Sequence, residues 1–304
     1  MNKTTKTERL DKILTQQTRQ SRSQIQKMIK NGFVSINNRV VTQPHFFVSA
    51  SDSIKTESDS KLKNEEIKKD IPRLKIFYED NDVIAFEKPA GIIVHEAANK
   101  NETTVVDALI KYCPTIKKAG DDSRRPGIVH RLDKLASGVM VAAKNQKTFE
   151  FLKKQFAEKK IKKEYLVLVY GTPGKNSGTI SFKLARSKNK GRIVARPTLS
   201  DDGKEAITHF EVLQKFKTVT LLRVIIETGR THQIRAHFRA INLPVVGDPI
   251  YKKNYMKNIK PLPLPRLFLH AHQLTIPLPN GGLKTFVSPL PQELEKILET
   301  LPKK

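Results

Sequence analysis

The chain contains no tryptophan and only one cysteine, Cys113, in 304 residues. A lone cysteine closes no internal disulfide and supplies no clustered thiolate metal site, which fits a reducing compartment. No apolar run approaches the roughly 18 residues of a membrane span. The polar start, Met1 to Lys12, lacks the apolar core of a secretory signal, so a cytoplasmic protein with no membrane partner is expected. Gly-x-Gly-x-x-Gly, the P-loop and Gly-x-Ser-x-Gly are all missing, which leaves nucleotide cofactors and serine hydrolysis unsupported. Negative charge is scarce as well: 30 Asp and Glu stand against 56 Lys and Arg, a net charge of +26. That excess is more than solubility needs and marks a polyanion partner, which in a chain without a membrane segment points to nucleic acid.

The positive charge is unevenly spread. Residues 1 to 50 hold nine basic and two acidic residues, whereas Ser49 to Asp70 hold five basic and six acidic, with Ile54, Leu62 and Ile67 as the large apolar residues. The second stretch reads as a linker, giving domains at 1–55 and 73–304 joined by 56–72. In the first domain Leu10, Ile13 and Leu14 sit at helical spacing. Ile25, Met28 and Ile29 repeat it in a second helix that Ser21 or Ser23 can cap and Asn31-Gly32 stops. Arg22, Gln26 and Lys30 share a face of that helix, either an RNA-binding face or a solvated one. Phe33 to Ile36 and Arg39 to Val41 flank Asn37-Asn38 as a hairpin. Beyond Pro72, short apolar strands follow one another through turns, with helical spacing at Val105 to Tyr112 and Lys147 to Lys159. The pattern predicts an α+β protein whose larger domain is a mixed, mainly antiparallel sheet, preceded by a small α/β domain.

The chemistry concentrates in His130-Arg131-Leu132-Asp133-Lys134, followed by Ser137-Gly138. Asp133 stands between Arg131 and Lys134, whose fixed charges favour its ionised form. An ionised carboxylate can attack an electrophilic carbon or take a proton; the same residues also suit a surface ion pair at a strand end. Three other stretches stand out. Lys88-Pro89-Ala90-Gly91 reads as a tight turn leading into an apolar strand, and Lys163-Glu164-Tyr165 sets an aromatic among charges at a strand start. Thr228 to Phe238 packs Arg230, His232, Gln233, Arg235 and His237 into a mostly apolar neighbourhood, where such groups need partners. His232 and His237 miss the spacing of a helical zinc pair, and no metal site is expected.

Arg9-Leu10-Asp11-Lys12, Ser21-Arg22-Ser23, Ile29-Lys30-Asn31-Gly32 and Val34-x-Ile36-Asn37 resemble, in that order, the alpha-L RNA-binding domain of a bacterial ribosomal small-subunit protein. The resemblance implies that Arg19, Arg22, Lys27 and Lys30 grip structured RNA. Downstream, Lys88-Pro89-x-Gly91, Val129 to Gly138, Lys163-x-Tyr165, Glu227 to His237 and Pro244-x-Val246-Gly247-Asp248-Pro249-x-Tyr251 resemble the RluA-type pseudouridine synthases over residues 72 to 295, with the RluD branch nearest. Leu135-Ala136 departs from that pattern, which usually has an acidic residue and threonine there, and so alters the turn after Asp133.

The resemblance implies an isomerase that breaks the bond from ribose to a uracil nitrogen, turns the base and rejoins it through a ring carbon without cofactor or metal. Asp133 would be the essential carboxylate, Arg235 its partner and Tyr165 a stacking platform that helps move a proton. Arg131, Arg230 and His232 would contact the RNA. Large-subunit ribosomal RNA is the expected substrate and transfer RNA the alternative, with target choice carried by Arg186 to Asp202 and Tyr251 to Pro265. A monomer is the default. Two rivals stay open: a nucleoside hydrolase, which would want a second carboxylate, and a non-catalytic ribosome assembly factor.

Overall fold

The computed structural model describes residues 7–18, 20–56, 71–96, 102–187, 192–251, 262, 264 and 266–303. The chain forms two compact units, residues 1–69 and 70–304. Arg19, most of the linker, and residues 188–191 and 252–261 of the two stretches expected to choose the target lie outside the described residues.

Unit 1 contains β1 (Thr7–Arg9), α1 (Leu10–Gln17), α2 (Arg22–Lys30), β2 (Val34–Ile36), β3 (Arg39–Val40), β4 (Phe47–Ser49) and β5 (Ile54–Thr56). Ser21 caps α2 in a reciprocal box with Gln24, satisfying donors that the first turn leaves open. Asn37 and Asn38 both take positive φ, 50° and 65°, the turn that matches strand twist in a two-residue hairpin. Ser49 to Asp70 is not linker throughout. Ile54 pairs with Ile36 and packs on the core of Leu10, Leu14, Ile25 and Ile29, because one apolar residue on an edge strand suffices to close so small a sheet.

Asp11 organises this unit. Fully buried, its carboxylate accepts hydrogen bonds from Arg9, Arg22 and Gln26 at 2.8 to 3.2 Å. Arg22 and Gln26 therefore tie α2 to α1, while Lys27 and Lys30 stay exposed on α2. Burial by itself would raise the Asp11 carboxyl, but the bonds from Arg9, Gln26 and Arg22 outweigh it and hold it at about 2. A carboxyl so depressed contributes stability above its unfolded value of 3.8 that is lost as pH falls through about 2. Asp11→Asn is expected to cost about 1–3 kcal/mol at neutral pH. It should also flatten the acid-side loss, as read by denaturant unfolding of the full chain between pH 7 and about 2.

Unit 2 is a ten-stranded sheet flanked by helices. Its strands are β6 (Lys75–Glu79), β7 (Val83–Lys88), β8 (Ser137–Ala143), β9 (Lys162–Tyr170), β10 (Ser177–Arg186), β11 (Ile193–Arg196), β12 (Lys204–Lys215), β13 (Val219–Ile226), β14 (Leu269–Pro277) and β15 (Leu283–Val287). Its helices are α3 (Val105–Tyr112), α4 (Gln146–Ala157), α5 (Gln233–Ala240) and α6 (Gln292–Thr300). The order is β11-β10-β12-β13-β9-β14-β8-β7-β6, with β15 on β14; every pair is antiparallel except β14 with β8. β8 is buried along its whole length because both faces are covered: Met140 and Ala142 pack into one core, Val139, Val141 and Ala143 into another.

Register positions the site. Val224 lies opposite Tyr165, Tyr165 opposite Ala271, Ala271 opposite Gly138 and Gly138 opposite Lys88, a row crossing five strands. Gly138 takes φ +122° and a methyl there would strike the backbone of Ala271, so glycine is what lets the strand after Asp133 lie against β14. The strand expected after Gly91 is reduced to one bridge, Ile93 with Thr104. The Gly91 N–H is spent instead on the Lys134 carbonyl, at 2.7 Å.

Candidate active site

The segment before β8 carries Asp133 to the wall of a cavity of about 440 Å³ that Tyr165, Arg235, Arg131, Arg230 and His232 also line. Strand β9 supplies Tyr165, the segment of Asp133 supplies Arg131, and the turn into α5 and its first residues supply Arg230, His232 and Arg235. Sequence positions more than 100 residues apart thus meet at one end of the sheet.

Arg235 is the hinge of the arrangement. Nη1 donates to Asp133 Oδ2 at 3.0 Å, while Nε and Nη2 donate to the two Asp248 oxygens at 2.7 and 3.0 Å. Arg235 and Asp248 are 3% and 1% exposed and Asp133 17%, so the fork is fixed inside the protein and one N–H reaches out to the carboxylate at the cavity. Asp248 also accepts the backbone N–H groups of Ile250 and Tyr251. Sequence reasoning gave Asp248 no role, although an acidic residue between Gly247 and Pro249 in so basic a chain was a usable signal.

The turn after Asp133 is held from below. Lys88 is fully buried, and its ammonium donates to the carbonyls of Pro89, Lys134 and Ala136 at 2.8, 3.2 and 2.7 Å. Burial pulls Lys88 down to about 7, against three carbonyl acceptors that call for the charged form. Backbone bonds close the turn, Ala136 N–H to Asp133 O among them, so the Leu135-Ala136 departure removes no group that the turn uses. Lys134 turns away to Glu102 at 2.6 Å rather than to Asp133.

Burial, then the Asp133 charge, raises the Tyr165 phenol. An uncharged tyrosine offers a stacking face and a proton donor, not a phenolate base. His232 takes left-handed backbone angles, φ 54° and ψ 23°, at the start of α5, a conformation uncommon outside glycine and concentrated at functional sites. Tyr251 donates its hydroxyl to Ile193 O at 3.0 Å, so His232 Nδ1 must donate to Tyr251 at 3.1 Å, leaving Nε2 as an acceptor. Burial lowers the His232 imidazole, which favours that neutral ring.

Other polar groups of these stretches find partners inside the protein. His130 Nε2 accepts the Val141 N–H at 3.0 Å and its ring stacks on Phe156. Gln233 bonds Thr228, Ile207 and Thr208, and His237 bonds Thr208, which supplies the partners that segment needed. Lys163 donates to Glu227 O at 3.3 Å and burial draws it to about 8. Among the described residues no three His, Cys, Asp or Glu cluster as a metal site, and no helix is long and apolar enough to cross a membrane.

A buried arginine thus presents one N–H to a carboxylate at a cavity that a tyrosine also lines. A family model described as RNA pseudouridylate synthase matches residues 82–240, and one for the S4 domain matches residues 8–54. An uncharacterized RNA pseudouridine synthase of Synechocystis sp. is 36% identical over 292 residues, 95% of this chain and 88% of that protein. Ribosomal large subunit pseudouridine synthase D of Buchnera aphidicola is 36% identical over 304 residues, covering 96% of this chain and 94% of its own. The solved structure of human RNA pseudouridylate synthase domain containing 4 shares the fold, with TM-score 0.58 at 22% identity, over 74% of this chain and 92% of that one. Matches of this extent over both units show that the chain belongs to the RNA pseudouridylate synthases and is an RNA pseudouridine synthase with an S4 domain ahead of its synthase unit.

Proposed function

We propose that this enzyme isomerises uridines of large-subunit ribosomal RNA, with Asp133 as the essential carboxylate, Arg235 holding it and Tyr165 stacking on the base. The observation that carries the residue roles is the Arg235 to Asp133 contact of 3.0 Å at the cavity that Tyr165 shares. The target rests on relatives named ribosomal large subunit pseudouridine synthase D in Buchnera aphidicola and Pseudomonas aeruginosa, and on the S4 domain.

In the reaction the bond from ribose C1′ to uracil N1 breaks, the base turns, C1′ bonds to C5, and the C5 proton leaves as N1 gains one. Asp133 can serve by attacking C1′, by attacking the ring or by assisting a glycal route, and each uses the same anion held by Arg235. A uridine inside folded RNA must first leave its stack, which costs a few kcal/mol. Phosphate contacts made by a chain of net charge +26 offset that cost.

Tritium release from RNA labelled at C5 of uracil tests the reading, with large-subunit ribosomal RNA beside bulk transfer RNA. Release from the ribosomal RNA without free uracil is expected. Release from transfer RNA alone would move the target, and free uracil would mean hydrolysis. Deleting residues 1–70 should weaken RNA binding by about tenfold, flatten its salt dependence and misdirect target choice while tritium release from short RNA persists. Unchanged modification of every site at physiological salt would sink that role for unit 1.

A further inference from the structure

We infer that a second cavity, walled by β11 and α5, receives one backbone phosphate of the substrate RNA, gripped by Arg192 and Arg239. It has a volume of about 270 Å³, and its lining among the described residues combines these two arginines with Tyr251 and aliphatic residues such as Ile193 and Ala236, without a carboxylate. Two positive charges with no acid among them make it a site for an anion.

The hydrogen bonding points the same way. Among the described residues, Arg192 Nε and Arg239 Nε are both buried and meet no hydrogen-bond partner. Buried donors left unmet are rare in folded proteins, and two on the walls of one cavity call for a ligand that accepts. Arg192 donates Nη1 to Ile250 O at 3.2 Å and lies over the Tyr251 ring at 5.9 Å, which fixes its plane while leaving the Nε edge unused. Among the described residues the Arg239 side chain makes no hydrogen bond or ion pair. The Nε and Nη edge of a guanidinium matches two phosphate oxygens. Arg239 stands in the last turn of α5, where the helix dipole repels anions, so the guanidinium charges supply the attraction.

Position ties the cavity to the RNA rather than to a free ion. Helix α5 walls both cavities: Arg235 lines the first and Ala236 and Arg239 the second, with Arg239 about 6 Å further along the axis than Arg235. Tyr251 lines the second cavity, and His232, bonded to its hydroxyl, lines the first. A strand whose uridine enters beside Asp133 therefore has its neighbouring backbone within reach of Arg192 and Arg239. This rests on the activity as an RNA pseudouridine synthase, which wild-type tritium release checks independently.

The test pairs the Arg192→Gln/Arg239→Gln enzyme with RNAs carrying a neutral methylphosphonate at single positions around the target uridine. At saturating RNA the variant should keep kcat within about twofold while KM rises about tenfold. The slope of log binding against log salt should fall by about 0.7 for the lost phosphate contact. One methylphosphonate position should weaken wild-type binding about tenfold and leave the variant unaffected. Arg192→Lys/Arg239→Lys, which keeps the charge without the fork, should keep the slope and lose part of the affinity, and it serves if the glutamine variant does not fold. Equal methylphosphonate losses in wild type and variant, or no sensitive position at all, would overturn the inference. So would inorganic phosphate raising the wild-type Tm through these arginines while every methylphosphonate RNA binds normally, because the site would then be one for a free anion.

Discussion

Asp133→Asn is expected to lower the rate of isomerisation by about 10⁴-fold or more while leaving RNA binding within about threefold. Asparagine keeps the shape and the oxygen that accepts from Arg235 Nη1 at 3.0 Å, so the cavity should persist. What it removes is the negative charge, and with it the ability to attack carbon or take a proton. Tritium release under single-turnover conditions measures the chemical step, and filter binding measures the RNA complex. A variant within a hundredfold of wild type would remove Asp133 from the chemistry. A variant that also stopped binding would mean that the carboxylate shapes the cavity rather than acting in it.

Arg235→Met should cost both stability and turnover, and for separable reasons. It leaves Asp248, 1% exposed, as a buried carboxylate without its counter-charge, and breaking such a pair costs about 3–5 kcal/mol. In a unit of this size that lowers the Tm on the order of 10 °C. Turnover should fall by about 10²-fold or more, because Asp133 loses the N–H that orients it. The double variant Arg235→Met/Asp248→Asn removes both buried charges while its amide oxygen still accepts the N–H groups of Ile250 and Tyr251. It should recover most of the Tm and none of the turnover. Recovery of both together would show that Arg235 serves only the fold. Arg235→Lys keeps one charge but cannot serve two carboxylates with a rigid fork, so it should fall between the two.

Much of the local structure was legible from residue order. Apolar residues three and four apart mark α1 and α2, Asn37-Asn38 fixes a hairpin, and Val105 to Tyr112 forms a helix over the span its spacing indicates. Ile54 shows where such reading stops: a single apolar residue among serines and charges looks like linker, yet pairing with Ile36 makes it strand. Lys88 shows it again. A lysine before proline reads as part of a tight turn, and only the approach of the Lys134 and Ala136 carbonyls from 46 and 48 residues away makes it a buried clamp.

The sequence by itself determined that this is a basic RNA protein of two parts with the motif order of its family, because charge, periodicity and motif order are properties of neighbours along the chain. The tertiary structure decided which charges meet. Lys134, adjacent to Asp133, pairs with Glu102, while Arg235, far along the chain, takes the carboxylate and anchors itself on Asp248. Strand register sets such pairings, and register follows from which faces are buried across the whole sheet, a quantity that no single stretch of residues contains.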